Sequence, residues 1–247
     1  MLRSTLAVAR RVLRQLAADR RFLFLSLALP MLILYIARAA LDTLNTGFFD
    51  ISQLVVPIGA FVVHFVTYIL CAIVLVRERT LHTLARMFVS GYRQVHIIGG
   101  YVLAYTVLGT IQSSAIMLEL KQLFHLAYGI ETLFSLYLVM WLLAVISISL
   151  AILVSNFART EGQIFPFIPM VTVPGIFLSG VVISVDRLPQ WAQWLSYATP
   201  LFYANRVIQR LIQPGATFAE NWMRIGTLVI YGLVVMTLAT RTLRETD

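Results

Sequence analysis

An all-α membrane protein with six transmembrane helices is the fold class this sequence predicts, on three observations. Sixty per cent of its 247 residues are hydrophobic and only 12% are charged. Apolar runs of bilayer-crossing length recur along the chain. Basic residues gather at the ends of those runs rather than within them. A soluble chain of this length could not hide so much apolar surface in one core, because its outside must be wetted. Lipid is the alternative solvent.

The chain begins with a basic amphipathic stretch, 1–21. At about 100° per residue, Leu2, Leu6, Ala9, Leu13 and Leu16 share one arc, and Arg3, Arg10 and Arg14 occupy a neighbouring one. That pattern predicts a helix lying in the membrane interface, its arginines toward anionic headgroups. The plainer reading is a basic end that sets topology. No small-residue cleavage pattern follows the first apolar run, so no cleavable signal peptide is expected.

A membrane helix needs about 20 mainly apolar residues to cross roughly 30 Å of hydrocarbon. Six runs qualify: 22–37, 51–76, 97–118, 132–158, 162–185 and 225–240. The first and last are short, but Arg21, Arg38, Arg224 and Arg241 at their edges can snorkel. The single cysteine, Cys71, sits inside the second run, where packing is its expected role and no intramolecular disulfide can form.

Between the second and third runs lies 77–96, the longest connection on its side. It is rich in helix formers up to Phe88, and Ser90-Gly91 should stop the helix. Such a helix has no core of its own, so it either lies on the membrane or docks on a partner. The longest connection on the other side is 184–222, expected to be partly re-entrant and to cap the bundle. Within it Leu201, Ala204, Val207, Ile208 and Leu211 share one face at helical spacing. Asn205, Arg206, Gln209, Arg210 and Gln213 fall opposite. Trp191, Trp194, Tyr197, Phe202 and Tyr203 are aromatics suited to headgroup depth, so this segment is expected at the outer interface, as a lid or as a brace.

The net charge of +8 does not point to nucleic acid, because bilayer-flanking arginines account for it. One side of the six-span layout collects thirteen basic residues (residues 3–21, 77–93, 159, 241 and 244) against five acids, and the other six against six. The excess of positive charge marks the cytoplasmic side and places both termini there.

Catalytic and cofactor signatures are absent from the sequence. There is no G-x-x-x-x-G-K-[ST], no dinucleotide glycine pattern, no H-E-x-x-H and no clustered Cys/His set. No metal site or catalytic residue is expected. The four histidines are scattered, and no span carries a pair of carboxylates that could form a proton relay. His64, deep in the second span, is either a neutral buried side chain bonded to a neighbour or part of a substrate path. A transporter built this way must draw its energy from elsewhere.

Two blocks resemble the ABC-2-type permease family of ABC exporters. Arg77-Glu78-Arg79-Thr80-Leu81-His82-Thr83-Leu84-Ala85-Arg86-Met87, continuing through Ser90 and Arg93 to Gly99, is similar to the family's R-E-R-x-x-G-T-L-E-R-L run. His82 stands where the family has glycine, Ala85 where it often has glutamate, and Gly91 where it often has proline. The second block is Phe177-Leu178-Ser179-Gly180-Val181-Val182, then Leu188-Pro189-Gln190-Trp191 and Pro200-Leu201-Phe202-Tyr203-Ala204. It is similar to L-S-G-x-x-x-P, L-P-x-W and N-P-L-x-Y-A, with Ser184 for proline and Thr199 for asparagine. Glu161 and Gln163 match the polar pair before that span.

The resemblance implies a single permease domain over 1–247 that binds no cofactor itself. Two permease chains would pair, as a homodimer. Two ABC ATP-binding subunits, which hold ATP and Mg2+, would dock beneath. The contact would be a coupling helix over 77–90, with Arg77, Glu78, Arg79, Leu84, Arg86 and Met87. Substrate would pass between second and fifth spans, with Phe61, His64, Phe65, Tyr68, Val171, Pro174 and Phe177 as candidate path residues. Trp191, Trp194, Phe202, Tyr203 and Arg206 would form the outer gate. The implied activity is outward movement of an amphipathic, lipid-like, drug or glycan substrate across the cell membrane by alternating access. The competing readings are a structural or regulatory membrane subunit of an ATPase complex and a membrane-embedded lipid-modifying enzyme.

Overall fold

The computed structural model describes residues 2–43, 51–213, 215 and 218–243. The expectations that involve Arg244, Glu245 and Asp247 lie outside the described residues. Among the described residues every regular element is a helix. In chain order α1 is Leu2–Ala18, α2 Arg20–Thr43, α3 Ile51–Thr80, α4 Thr83–Val89, α5 Gln94–Leu123 and α6 Ile130–Ser155. Then follow α7 Glu161–Ile164, α8 Phe167–Leu178, α9 Gln190–Ser196, α10 Pro200–Leu211 and α11 Trp222–Thr242. Short 3-10 turns occupy Val185–Arg187 and Ala219–Asn221.

Six helical stretches are long and apolar enough to cross a membrane: α2, α3, α5, α6, α7 with α8, and α11. The first, third and sixth run beyond both ends of the charge-free stretches that revealed them, and the second beyond its C-terminal end. Flanking polar side chains can reach headgroups while their backbone stays helical. Thus α5 continues past 118 and carries Glu119, one of whose carboxylate oxygens is buried without a partner. The fifth span is shorter than 162–185. It breaks at Phe165-Pro166 and ends at Leu178, because Gly180 turns with φ +82°.

α6 is the central pillar, packed against α3, α5, α10 and α11. It is apolar all round and accordingly buried. Its serine hydroxyls are satisfied within the helix: Ser135, for instance, donates to the Glu131 carbonyl at 2.8 Å and Ser147 to Leu143 at 2.6 Å. By contrast α2, α8 and α11 leave most of their apolar surface outside the protein.

α1 is laid against α5. Val8, Ala9, Val12 and Leu16 are buried, while Leu2 and Leu6 from the sequence-predicted arc remain exposed. The protein-facing stripe is therefore rotated from that arc, because α5 offers a flat site at Gly99-Gly100. A Cβ on Gly100 would lie 2.5 Å from Val8 Cβ and 3.0 Å from the Thr5 carbonyl oxygen. Only glycine permits that approach.

Candidate functional site

Both described chain ends lie at one end of the bundle, here the basic end. Gln94 Nε2, at the start of α5, donates to the Leu243 carbonyl at 2.6 Å, and Arg11 in α1 reaches Glu78 near the end of α3. The helix expected over 77–90 is divided here. Arg77–Thr80 is the last turn of α3, and the chain reverses at Leu81-His82, where His82 adopts φ 52°. α4 is the seven residues that follow, ended by Ser90 and Gly91 as the sequence indicates.

The six candidate contact residues separate into two groups. Arg77 and Arg86 face solvent. Glu78 is only 2% exposed, Leu84 and Met87 are buried, and Arg79 is turned inward. Glu78 is not the free surface charge its sequence context indicates. Its carboxylate accepts from Arg11 Nη2 at 3.0 Å and Gln15 Nε2 at 2.7 Å. Burial alone would lower the Arg11 pKa, but the hydrogen bond and charge of Glu78 outweigh it and hold that pKa above the ordinary arginine value. Leu84 and Met87 join the same apolar cluster as Val12, Leu16, Tyr101 and Leu243, so they root α4 in the bundle. What α4 and the turn before it offer outward is Leu81, Arg86 and Val89, the last 91% exposed.

Arg79 forms a polar knot that the sequence does not announce. It donates to the Ser155 carbonyl and to Asn156 Oδ1, with a longer reach of 3.5 Å to the Ala158 carbonyl. Asn156 then donates to the Ala239 carbonyl at 2.9 Å and to Thr242 Oγ1 at 2.8 Å. Through two side chains the ends of α3, α6 and α11 are joined, one turn before α4. A lone asparagine at the end of a long apolar run was the available signal for this junction.

The candidate path residues do not form one surface. His64 and Tyr68 are fully buried, whereas Phe61 and Phe65 stack at 5.6 Å on a half-exposed strip of α3. His64 Nδ1 is 2.7 Å from Ser147 Oγ; since that hydroxyl donates to Leu143, the imidazole is the donor between them. One turn on, Thr67 donates to Gln112 Oε1 at 2.8 Å. The first of these buried bonds joins α3 to α6 and the second joins α3 to α5. On α8, Val171 is half-buried while Pro174 and Phe177 are exposed. The Tyr68 hydroxyl donates to the Phe167 carbonyl at 3.3 Å, which keeps α8 beside α3.

At the opposite end, α9 and α10 turn back toward the bundle. The apolar face of α10 has the membership its spacing indicates, with Leu201, Ala204, Val207, Ile208 and Leu211 all buried. They pack on α3, α6 and α11, so the face is covered by protein rather than lipid. Phe202, expected in a movable lid, is also buried. Asn205 departs from its expected polar face. It is 4% exposed and donates to the Ser179 carbonyl at 3.0 Å. Trp191 and Trp194 remain exposed, and Tyr203 donates to the Tyr197 carbonyl at 3.0 Å. Arg206 lies over the Phe202 ring, 5.0 Å from its centroid.

Comparison with known proteins agrees with this layout. Residues 3–212 match the family described as ABC-2 type transporter. The chain is 24% identical to the probable multidrug ABC transporter permease YbhR of Escherichia coli (strain K12), over 62% of this chain and 42% of that protein. It is 24% identical to the linearmycin resistance permease protein LnrN of Bacillus subtilis (strain 168), over 65% of this chain and 41% of that protein. A shorter match, 39% of this chain and 37% of the relative, is 33% identical to nodulation protein J of Rhizobium meliloti (strain 1021). The chain therefore spans less than half the length of these curated relatives. With six spans in place and a family match over most of its length, the chain belongs to the ABC-2 type transporter family, as a multi-pass membrane permease component.

Proposed function

We propose that this chain is the transmembrane permease subunit of an ATP-driven exporter, coupled through α4 to a separate ATP-binding subunit. Permeases of this family generally pair with such subunits. The observation that carries the reading is the form of α4. It is a short helix rooted by Leu84 and Met87, with Leu81, Arg86 and Val89 presented outward beside the Arg79 knot. A push on α4 passes directly into the ends of α3, α6 and α11. In this reading the basic end is cytoplasmic, as the asymmetry of Lys and Arg supports. Two permease chains and two ATP-binding subunits make the transporter. The half-exposed strip of α3 and the open face of α8 carry Phe61, Phe65, Pro174 and Phe177 toward a path for an amphipathic substrate.

The test is reconstitution with the cognate ATP-binding subunit in lipid nanodiscs and vesicles. The substitutions Arg86→Glu and Val89→Asp should each weaken complex formation or uncouple hydrolysis from transport, with the melting temperature of the permease unchanged. Full coupling in both variants would refute the docking assignment. ATP-independent movement of substrate would refute the exporter.

A further inference from the structure

Below the turn at Gly180, the end of the bundle remote from α4 opens into a cleft of about 610 Å³. Its walls come from the start of α3, the segment after α8, and the polar face of α10. Among the described residues three arginines border it, Arg206, Arg210 and Arg224, against a single carboxylate, Asp186. Arg224 donates to Asn221 Oδ1 at 3.1 Å, and Arg206 has its contact with the Phe202 ring. The Arg210 side chain makes no hydrogen bond or ion pair to another described residue. Arginine side chains set around one concavity without matching acids favour an anion between them, and their planar forks suit phosphate or carboxylate oxygens.

A second observation lies in the cleft wall. Asn205 is almost wholly buried, and its amide nitrogen is committed to the Ser179 carbonyl. Its Oδ1 lacks a partner although the residue lines the cleft. A buried carbonyl oxygen without a donor is uncommon and costs free energy. A hydroxyl of a bound molecule would satisfy it, and Gln209 on the same helix and Gln213 just beyond its end offer further polar contacts.

We propose that this cleft is a binding site for a phosphate ester flanked by hydroxyl groups. Arg206 and Arg210 hold the phosphate, and Asn205 Oδ1 accepts from the neighbouring hydroxyl. That chemistry belongs both to a polyol phospholipid headgroup and to a soluble phosphorylated polyol. The site is defined without reference to transport. It rests on the proposed function only in assigning the cleft to the outer leaflet, so binding and export can fail separately.

The experiment uses the chain purified with its partner subunits in detergent. Native mass spectrometry measures binding of phosphatidylglycerol and phosphatidylcholine, and calorimetry measures glycerol 1-phosphate. Phosphatidylglycerol should bind about tenfold more tightly than phosphatidylcholine, and an Arg206→Gln/Arg210→Gln variant should abolish the difference. Asp186→Asn, on an exposed turn, should tighten binding by removing a carboxylate from the cleft. A structural role for the arginines would produce no such gain. Binding of glycerol 1-phosphate that obeys the same substitutions identifies a soluble source; its absence alongside lipid binding identifies a headgroup. Equal affinity for the two lipids together with no glycerol 1-phosphate binding overturns the proposal. So does a preference that survives the double arginine substitution.

Discussion

Arg11 and Glu78 stand 67 positions apart in the sequence and meet at 3.0 Å across the seam between α1 and α3. Glu78 is nearly inaccessible, whereas the Arg11 side chain keeps 39% of its exposure. The carboxylate is thus the partner that depends on the bond. Removing Arg11 leaves a buried charge without its cation, though Gln15 still donates to it.

Arg11→Ala should therefore cost stability, by about 1–2 kcal/mol once partial solvent screening of the guanidinium is allowed for. Glu78→Arg should cost more than Arg11→Ala, since it places a cation against Arg11 in a site with little water. A double-mutant cycle on thermal unfolding checks the coupling, and additive losses would show that the pair does not interact.

His82 holds a left-handed conformation that costs an L-residue roughly 1–2 kcal/mol. His82→Gly should be neutral or stabilising by up to about 1 kcal/mol, and His82→Val destabilising. Melting temperatures of the two variants should move in opposite directions or differ clearly. Equal values would mean that the α3–α4 reversal tolerates another geometry.

Gly100→Leu should lift α1 from α5, since even a methyl group there would meet Val8 at 2.5 Å. Trypsin should then cut at Arg10, Arg11 and Arg14 well before the spans are attacked. A cleavage rate equal to that of the unaltered protein would place the binding energy of α1 elsewhere, at Arg11 and Glu78.

Orientation is testable at residue 206. With Cys71→Ser as background, an Arg206→Cys variant should react with a membrane-impermeant maleimide added outside intact cells. Reaction only after the cytoplasmic face is opened would invert the proposed topology.

Much of the membrane layout was readable because lipid imposes a simple rule: about twenty apolar residues, with cations at the margins. The buried face of α10 was readable for a similar reason, since Leu201, Ala204, Val207, Ile208 and Leu211 repeat at helical period. Periodicity does not reveal which surface covers a face, so protein contact was not separable from contact with lipid. Glu78 shows the limit most clearly. A charged residue after a span looks solvated until its partner, far away in sequence, is known. Asn205 failed in the same way: its offset along α10 fits a polar face, but the Ser179 carbonyl draws it inward. The α3 residues at 61, 64, 65 and 68 fall in one broad arc, and only the position of α6 divides buried from open.

Asn156 binds α11 with its amide and receives Arg79 on its carbonyl oxygen. Three long helices consequently share one rivet at their ends, and a torque applied there is transmitted with little slack. Neither α2 nor α8 takes part in that junction, and both leave most of their apolar surface outside the protein. Mechanical work entering beside Arg79 would be stored as relative tilt between a stiff trunk and these two outlying helices, with the trunk itself hardly deformed.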